Sequence, residues 1–354
     1  MTIEMRKVSL RVGAETHIYE TDLSLEPGQF NILLGTTLSG KTSLMRLMAG
    51  LEKPTTGELW INDQNMTGVP VQKRSVAMVY QAFINYPSFS VYDNIASPLK
   101  VAGLPKTEID EKVRRFADLL KLTPMLDRLP SELSGGQQQR TALARALVKG
   151  VELVLLDEPL ANLDYKLREE LRDELPRMFA DTGATVVYAT SEPIEALMLG
   201  GYTATLSEGR VVQFGQTSKI YRNPDTLTSA RVFSDPPVNI ANVDKRGDTV
   251  FLSDTVSWRA PEAVASRADG TYKIGLRPHH LVPVGEGVQV EGEVQISEIS
   301  GSESIVRVNV EGNNWVSEAH GIHSYEFGQK APFYFDSTRC LYFDGDENLI
   351  STQT

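Results

Sequence analysis

Cysteine is nearly absent from this chain, and neither a long apolar run nor an excess of positive charge occurs. The single cysteine among 354 residues, Cys340, excludes an intrachain disulfide and fits a cytosolic setting. No run of about 18 apolar residues is present, so we expect no membrane-spanning helix, and any role at a membrane has to come through a partner. The formal net charge of −11 argues against a nucleic-acid partner, because a phosphate backbone requires clustered lysine and arginine.

The first two thirds of the sequence alternate short apolar runs with helical patterns, which predicts an α/β domain with a largely parallel sheet. Buried strands are expected at three places, residues 30–34, 151–156 and 184–189. Helices are expected to begin near Thr107, near Ser134 and after Asp164. Pro176 should bend or end the last of these helices, because proline lacks the backbone N–H that continues the ladder.

The pattern changes near Asp235, where two prolines follow in the sequence. Beyond this point apolar and polar residues alternate with period two at residues 288–296, 304–310 and 333–335. Glycine, asparagine and aspartate separate these runs, so we expect a small antiparallel β-barrel. The sequence therefore predicts two domains, residues 1–235 and 236–354.

A glycine-rich loop follows the first predicted strand and precedes a predicted helix. The pattern G-x-x-x-x-G-K-[ST] is matched by Gly35, Thr36, Thr37, Leu38, Ser39, Gly40, Lys41 and Thr42. Ser43 follows as the next residue of the predicted helix. Such a loop closes backbone N–H groups around phosphates, and the helix N-terminus adds partial positive charge. Lys41 is expected to reach the β- and γ-phosphates of ATP, and the Thr42 hydroxyl to hold Mg²⁺. Average residue frequencies predict a chance match in about one chain in a hundred of this length.

A second short motif, Leu133-Ser134-Gly135-Gly136-Gln137, opens the helix predicted near Ser134. A serine hydroxyl and two glycine amides at a helix start form another anion site. Five fixed residues should occur by chance in roughly one chain in several thousand.

With Leu155-Leu156-Asp157-Glu158-Pro159 downstream, these motifs together resemble the ABC ATPase family. The resemblance implies a P-loop NTPase core of the RecA type with a helical subdomain at about residues 82–150 and an OB-like C-terminal regulatory domain. It implies that Ser134 to Gln137 complete the ATP site of another subunit. It also implies that Asp157 supports Mg²⁺ with Thr42 and Gln81, that Glu158 is the general base, that Gln81 senses the γ-phosphate, and that Asp164 belongs to the D-loop.

Further short segments of the sequence resemble the corresponding segments of carbohydrate-importer ATPases. They are Tyr86-Pro87 and residues 91–95, 213–217, 220–224 and 275–279. That branch handles maltose-like sugars, polyols and glycerol 3-phosphate. Its partners are two integral-membrane permease subunits, a second ATPase subunit and, indirectly, a periplasmic or extracellular solute-binding protein. The resemblance thus implies a peripheral protein on the cytoplasmic face of the inner membrane.

Three positions depart from the family pattern. Ser191 stands where the family has a histidine that contacts the γ-phosphate and helps hold the attacking water. Serine is shorter and carries no charge at neutral pH. The aromatic residue that stacks on adenine aligns near Val12, with His17 and Tyr19 as neighbouring candidates, and Leu38 replaces a usual glycine.

These departures leave three alternatives open. An asymmetric pair would combine this slowly hydrolysing site with a different ATPase, for which glycerol or a related polyol is the favoured cargo. A largely non-hydrolysing nucleotide-binding half is the second alternative, and a homodimeric sugar-importer ATPase is the third. A soluble ABC ATPase of translation or DNA repair is disfavoured by the single ABC unit and the acidic charge, and a P-loop kinase does not explain the second motif.

Overall fold

The computed structural model describes residues 1–82, 84–161, 165–180 and 183–350 of the chain. The chain divides into two units, Met1–Ser218 and Lys219–Thr354. The division predicted from composition, after residue 235, lies further along the chain. The intervening residues include a helix whose Leu227 and Ala230 pack on Phe343 of the second unit.

The first unit contains ten strands among the described residues: β1 (Ile3–Val12), β2 (Glu15–Leu25), β3 (Phe30–Leu34), β4 (Thr56–Ile61), β5 (Gln64–Asn65), β6 (Val76–Val79), β7 (Leu153–Asp157), β8 (Thr185–Thr190), β9 (Tyr202–Ser207) and β10 (Arg210–Gln216). An antiparallel sheet has the order β2-β1-β4-β5, and a six-stranded sheet has the order β10-β9-β3-β8-β7-β6. In the larger sheet β6, β7, β8, β3 and β9 run parallel, and only β10 is antiparallel to its neighbour. The predicted α/β class is therefore confirmed.

The helices are α1 (Lys41–Ala49), α2 (Val91–Val101), α3 (Lys106–Leu119), α4 (Gly135–Leu147), α5 (Tyr165–Ala180), α6 (Pro193–Leu199), α7 (Thr217–Arg222), α8 (Leu227–Val232) and α9 (Glu262–Ala265). α1 packs its buried Leu44, Met45 and Met48 into the apolar core that the two sheets share. It ends at Gly50, whose left-handed φ of 77° lets its N–H return to carbonyls of the last turn. Within the described ranges, no helix is long and apolar enough to cross a membrane.

The larger sheet brings four loops to one edge. The carboxyl ends of parallel strands lie on the same side of a sheet, where α/β proteins bind ligands. β3 ends at Leu34, β6 at Val79, β7 at Asp157 and β8 at Thr190. This edge of the sheet therefore carries the glycine-rich loop after β3, Gln81 after β6, Glu158 after β7 and Ser191 after β8.

The second unit is all-β apart from short helices. Its strands are β11 (Asn239–Arg246), β12 (Thr249–Phe251), β13 (Ser257–Arg259), β14 (Gly270–Leu276), β15 (Val288–Ser300), β16 (Glu303–Val310), β17 (Asn313–His320), β18 (Lys330–Phe335) and β19 (Leu341–Phe343). They form two antiparallel sheets, of orders β13-β12-β11-β14-β19 and β17-β16-β15-β18. Trp315, Phe333 and Phe335 lie in an apolar core to which both sheets contribute. The period-two runs of the sequence correspond to β15, β16 and β18.

Candidate nucleotide-binding site

The glycine-rich loop joins β3 to α1 as a tight cradle. A Cβ atom at Gly35 would lie 2.5 Å from the Leu206 carbonyl oxygen and 2.5 Å from Ser39 Oγ, so only glycine fits there. Gly40 adopts a φ of 103° and caps α1 without a side-chain hydrogen bond, which leaves the first N–H groups of the helix available. Ser39 Oγ is buried and has no hydrogen-bond partner among the described residues. An orphaned donor beside free helix N–H groups fits a phosphate ligand.

Lys41 is the first residue of α1 and is only 5% exposed. Its Nζ donates to the carbonyl oxygens of Gly35 (2.8 Å) and Thr36 (3.0 Å), both in the loop. The same nitrogen lies 3.4 Å from Glu158 Oε1. The ammonium group is therefore held over the cradle, where an anionic phosphate would be drawn to it.

Thr42 and Asp157 form the pair that fits a divalent cation. Thr42 Oγ1 lies 3.1 and 3.0 Å from the two carboxylate oxygens of Asp157. Burial raises the pKa of the Asp157 carboxyl, and Glu158 raises it further, while the Thr42 hydroxyl and the Lys41 ammonium lower it. The described ranges hold no cluster of three His, Cys, Asp or Glu residues with metal-ligand geometry. One carboxylate and one hydroxyl nevertheless suit Mg²⁺, which keeps several waters and takes few protein ligands.

Glu158 follows Asp157 and contacts the residue expected to act with it. Gln81 Nε2 donates to Glu158 Oε2 at 2.9 Å. The backbone N–H of Glu158 bonds to the Ala189 carbonyl at 3.0 Å, which ties the residue to the end of β8. Glu158 has a φ of 45°, in the left-handed region that costs an L-residue free energy. The structure thus brings Gln81 to Glu158, and its expected role at Mg²⁺ with Thr42 and Asp157 stays a prediction.

A cavity of about 590 Å³ lies over this cradle. Its lining includes most of the predicted phosphate-site residues, namely Thr37, Leu38, Ser39, Gly40, Lys41, Thr42, Ser43, Gln81 and Glu158. The far end is lined by His17 and Tyr19 of β2 and by Glu208 and Gly209 of the β9–β10 turn. The Arg210 guanidinium lies 3.8 Å from the centre of the Tyr19 ring.

The predicted contact between Val12 and the nucleotide stays a prediction. Val12 is half exposed at the end of β1 and is not among the residues that line the cavity. Val12 pairs with Glu15 across the β1–β2 hairpin, and the cavity lining begins at Glu15 and continues through Thr16 and His17. Glu208 and Gly209 were not singled out from sequence, although a glycine between two apolar runs is a turn signal.

Ser191 and the residues of the second motif do not line the cavity. Ser191 is exposed just after β8 and does not line it. Ser134 caps α4: its hydroxyl accepts from the Gln137 N–H at 3.4 Å, and Gln137 Oε1 accepts from the Ser134 N–H at 3.0 Å. This capping box lies at the start of α4, with Gly135 and Gly136 in the first turn of the helix. Asp164 lies outside the described residues.

Comparison with known proteins places the site in a class. A family model described as "ABC transporter" matches residues 18–161. Among solved structures, the dimeric structure of a post-hydrolysis state of the ATP-binding cassette MJ0796, bound to ADP and Pi, covers 61% of this chain and 98% of its own. The TM-score is 0.55 and the sequence identity 26%. The fold and the cradle are those of an ATP-binding cassette.

Curated relatives extend the similarity over both units. The trehalose/maltose import ATP-binding protein MalK of Thermococcus litoralis is 36% identical over 94% of each chain. The alpha-glucoside transport ATP-binding protein AglK of Rhizobium meliloti is 35% identical over 96% of each chain. The sn-glycerol-3-phosphate import ATP-binding protein UgpC of Cupriavidus pinatubonensis is 32% identical, over 96% of this chain and 98% of its own. The chain therefore belongs to the ABC transporter ATP-binding family, whose members are ATP-hydrolysing transporter subunits.

Proposed function

We propose that this chain binds and hydrolyses ATP to drive import of a small carbohydrate or polyol, with glycerol as the favoured cargo. The relatives named for import of sugars and of glycerol 3-phosphate support the solute class. The observation that supports the chemistry best is that Lys41, Thr42 and Glu158 line one cavity, while Asp157 is hydrogen-bonded to Thr42. A glycine cradle with a buried lysine, a metal pair and an adjacent carboxylate is the set that phosphoryl transfer requires.

In this proposal each side chain has one task. Lys41 holds the β- and γ-phosphates, and Thr42 with Asp157 holds Mg²⁺. Bound Mg²⁺ supplies neutralisation of the charge on the phosphate oxygens. Glu158 accepts the proton of the attacking water, and Gln81, already bonded to Glu158, orients that carboxylate. His17 and Tyr19 border the end of the cavity that would take the base.

The position of the second motif supports a partner ATPase. Ser134, Gly135 and Gly136 present a capped helix start but do not line this chain's own cavity. We propose that they complete a nucleotide site on a second, non-identical ATPase subunit. Ser191, which lacks the charge and reach of histidine, favours slow hydrolysis at this chain's own site. A largely non-hydrolysing half of such a pair is the alternative that Ser191 also favours, and a homodimer would repeat the altered site twice.

A groove in the first unit supports contact with a permease. About 430 Å³ in volume, it lies between the edge strand β6 and the helices α2 and α4. Ile84, Tyr86 and Val101 are exposed along it, and the Arg145 guanidinium lies 4.9 Å from the centre of the Tyr86 ring. Exposed apolar side chains that line a groove mark an interaction site. We propose that it receives an intracellular helix of one of two permease subunits.

The proposed setting is the cytoplasmic face of the inner membrane, where the chain would be peripheral. An external solute-binding protein would then act on it only through the permease.

Co-purification of the tagged chain with its membrane partners tests this proposal. We expect two permease subunits, a second ATPase of different sequence, and Mg·ATP turnover that rises when solute and binding protein are added. Vigorous turnover by the chain alone would contradict the asymmetric pair. An assembly without affinity for Mg·ATP would contradict the proposed function as a whole.

A further inference from the structure

A buried carboxylate lies behind the nucleotide cavity without lining it. Glu195, on α6, is 4% exposed. One of its oxygens, Oε2, accepts hydrogen bonds from the hydroxyls of Thr190 at 2.6 Å and Tyr188 at 3.0 Å. A carboxylate taken out of water is costly unless hydrogen bonds satisfy it. An apolar side chain would fill this space with a smaller desolvation penalty. A hydrogen-bond acceptor at this position therefore indicates a role beyond packing.

Thr190 connects this carboxylate to the site. It is the last residue of β8 and is 3% exposed. Its Oγ1 donates to Glu195 and accepts from the backbone N–H of Glu192 at 3.0 Å. Its carbonyl oxygen accepts from the N–H of Gly35, the first residue of the glycine-rich loop, at 3.3 Å. A continuous hydrogen-bonded path therefore runs from Glu195 to the loop of residues 190–192 and to the phosphate cradle.

The far side of the same loop is fixed by a second contact. Arg168 Nη1 donates to Glu192 Oε1 at 2.6 Å. Arg168 Nη2 also donates to the Ala161 carbonyl, at 3.4 Å, in the segment that follows Glu158. Ser191 thus lies between two held residues, Thr190 and Glu192, although its own side chain is exposed.

We infer that Glu195 is a positioning residue, which sets the loop of residues 190–192 and the start of the phosphate cradle through Thr190. Its effect on turnover rests on the proposed function, whereas its effect on the loop does not. Tyr188 bonds to the same oxygen of Glu195, but its backbone pairs with β3 and β7 inside the sheet. Tyr188 therefore anchors the carboxylate in the core, and Thr190 is the side chain that links it to the loop. The backbone N–H of Glu195 also donates to the Glu192 carbonyl at 3.1 Å, a contact that variants of the side chain retain.

Two matched pairs of variants of the full chain test this role. Thr190→Val and Tyr188→Phe each delete one hydroxyl bonded to Glu195 Oε2, at nearly unchanged shape. Glu195→Ala removes the acceptor, whereas Glu195→Gln keeps one oxygen able to accept from both hydroxyls. The measurements are single-turnover hydrolysis with protein in excess, Mg·ATP affinity by fluorescence, and hydrogen exchange of peptides that contain Gly35 or Glu192.

We expect Glu195→Ala and Thr190→Val to lower the hydrolysis rate roughly 10-fold, with Mg·ATP affinity changed less than about 3-fold, because loop placement affects the rate more than binding. Exchange of both peptides should accelerate in these two variants. Glu195→Gln and Tyr188→Phe should stay within about 2-fold of wild type in rate, since the Thr190 contact is retained.

Equal losses in Thr190→Val and Tyr188→Phe would reduce Glu195 to a packing role and overturn the inference. Unchanged exchange in Glu195→Ala would overturn it as well. A wild-type chain without turnover would instead contradict the proposed hydrolysis, and the exchange comparison would still decide whether Glu195 positions the loop.

Discussion

Gln81 and Glu158 are hydrogen-bonded across the mouth of the cavity, with 2.9 Å between Gln81 Nε2 and Glu158 Oε2. The other carboxylate oxygen, Oε1, lies 3.4 Å from Lys41 Nζ. The carboxylate is thus held between an amide and an ammonium group. A phosphate that attracts Lys41 would leave Oε1 free to accept a proton from water, while Gln81 keeps the carboxylate oriented.

Glu158→Gln should therefore remove hydrolysis and keep binding. We expect the single-turnover rate at this chain's own site to fall at least about 100-fold, because the amide cannot act as general base. Mg·ATP affinity should change little, since the cradle and the Thr42–Asp157 pair remain. Glu208→Gln is the control, because Glu208 also lines the cavity but lies on the β9–β10 turn. Hydrolysis that survives Glu158→Gln would assign the base elsewhere.

Ser191→His should raise hydrolysis at the chain's own site. An imidazole at this position has the reach and the proton chemistry that serine lacks, and a general acid or base contributes about 100-fold or more in many enzymes. The same assay decides, with Ser191→Ala as the control for loss of the hydroxyl. A rate unchanged in both variants would show that position 191 does not limit turnover.

Thr42→Val should weaken the dependence of ATP binding on Mg²⁺. Valine keeps the shape of threonine but loses the hydroxyl that contacts both oxygens of Asp157. We expect the Mg²⁺ concentration needed for half-maximal ATP binding to rise roughly 10- to 100-fold, the usual effect of removing a group at a metal site. Thr37→Val is the matched control, since Thr37 lines the cavity without a contact to Asp157. Equal effects of both variants would remove Thr42 from the metal site.

Leu38→Gly should stabilise the chain. Leu38 has a φ of 66° and is 94% exposed, so it carries left-handed strain with no compensating burial. Glycine relieves that strain, which by itself should raise the free energy of unfolding by about 1 kcal/mol in urea titrations. The extra freedom of glycine in the unfolded chain makes the measured gain smaller. Leu38→Ala keeps the strain and should leave stability nearly unchanged. A gain in the alanine variant as large as that in the glycine variant would refute the strain argument.

Local patterns predicted the elements of the site better than their contacts. Residues 30–34 form β3 as expected, because an apolar run before glycines has few alternatives. α4 begins at Gly135 with Ser134 as its cap, which the motif itself encodes. Val12 stays a prediction: it lies outside the cavity lining, whereas Glu15, its partner across the β1–β2 hairpin, is part of that lining.

Two further differences concern the bounds of helices. α3 begins at Lys106 with Pro105 as the cap, so Thr107 lies inside the helix. α5 continues through Pro176 to Ala180. Leu175 and Phe179 beside that proline are buried, and each contributes about 1.5–3 kcal/mol, enough to offset the lost backbone bond of about 3 kcal/mol. The Glu195 network joins β8 to α6 through side chains, and no spacing in the sequence predicted it.

The pH dependence of stability offers a separate test of the buried Glu195. Burial raises the pKa of the Glu195 carboxyl, and Glu192 adds to this, while hydrogen bonds from Thr190 and Tyr188 lower it without cancelling the effect. The folded chain therefore binds this proton more tightly than the unfolded chain does. The resulting contribution to stability is present at acidic pH and is lost as the pH rises through the folded pKa.

The amide of Glu195→Gln cannot titrate, so the variant does not lose this contribution as the pH rises from 4 toward 7. The free energy of unfolding of wild type should therefore fall relative to that of the variant over this range. Chemical unfolding at several pH values measures this difference. The exposed Glu20→Gln is the control for the removal of one carboxyl group from the chain. A difference that shifts in favour of wild type as the pH rises would mean that the hydrogen bonds from Thr190 and Tyr188 outweigh burial, since stabilisation of the ionised form lowers the pKa of an acid.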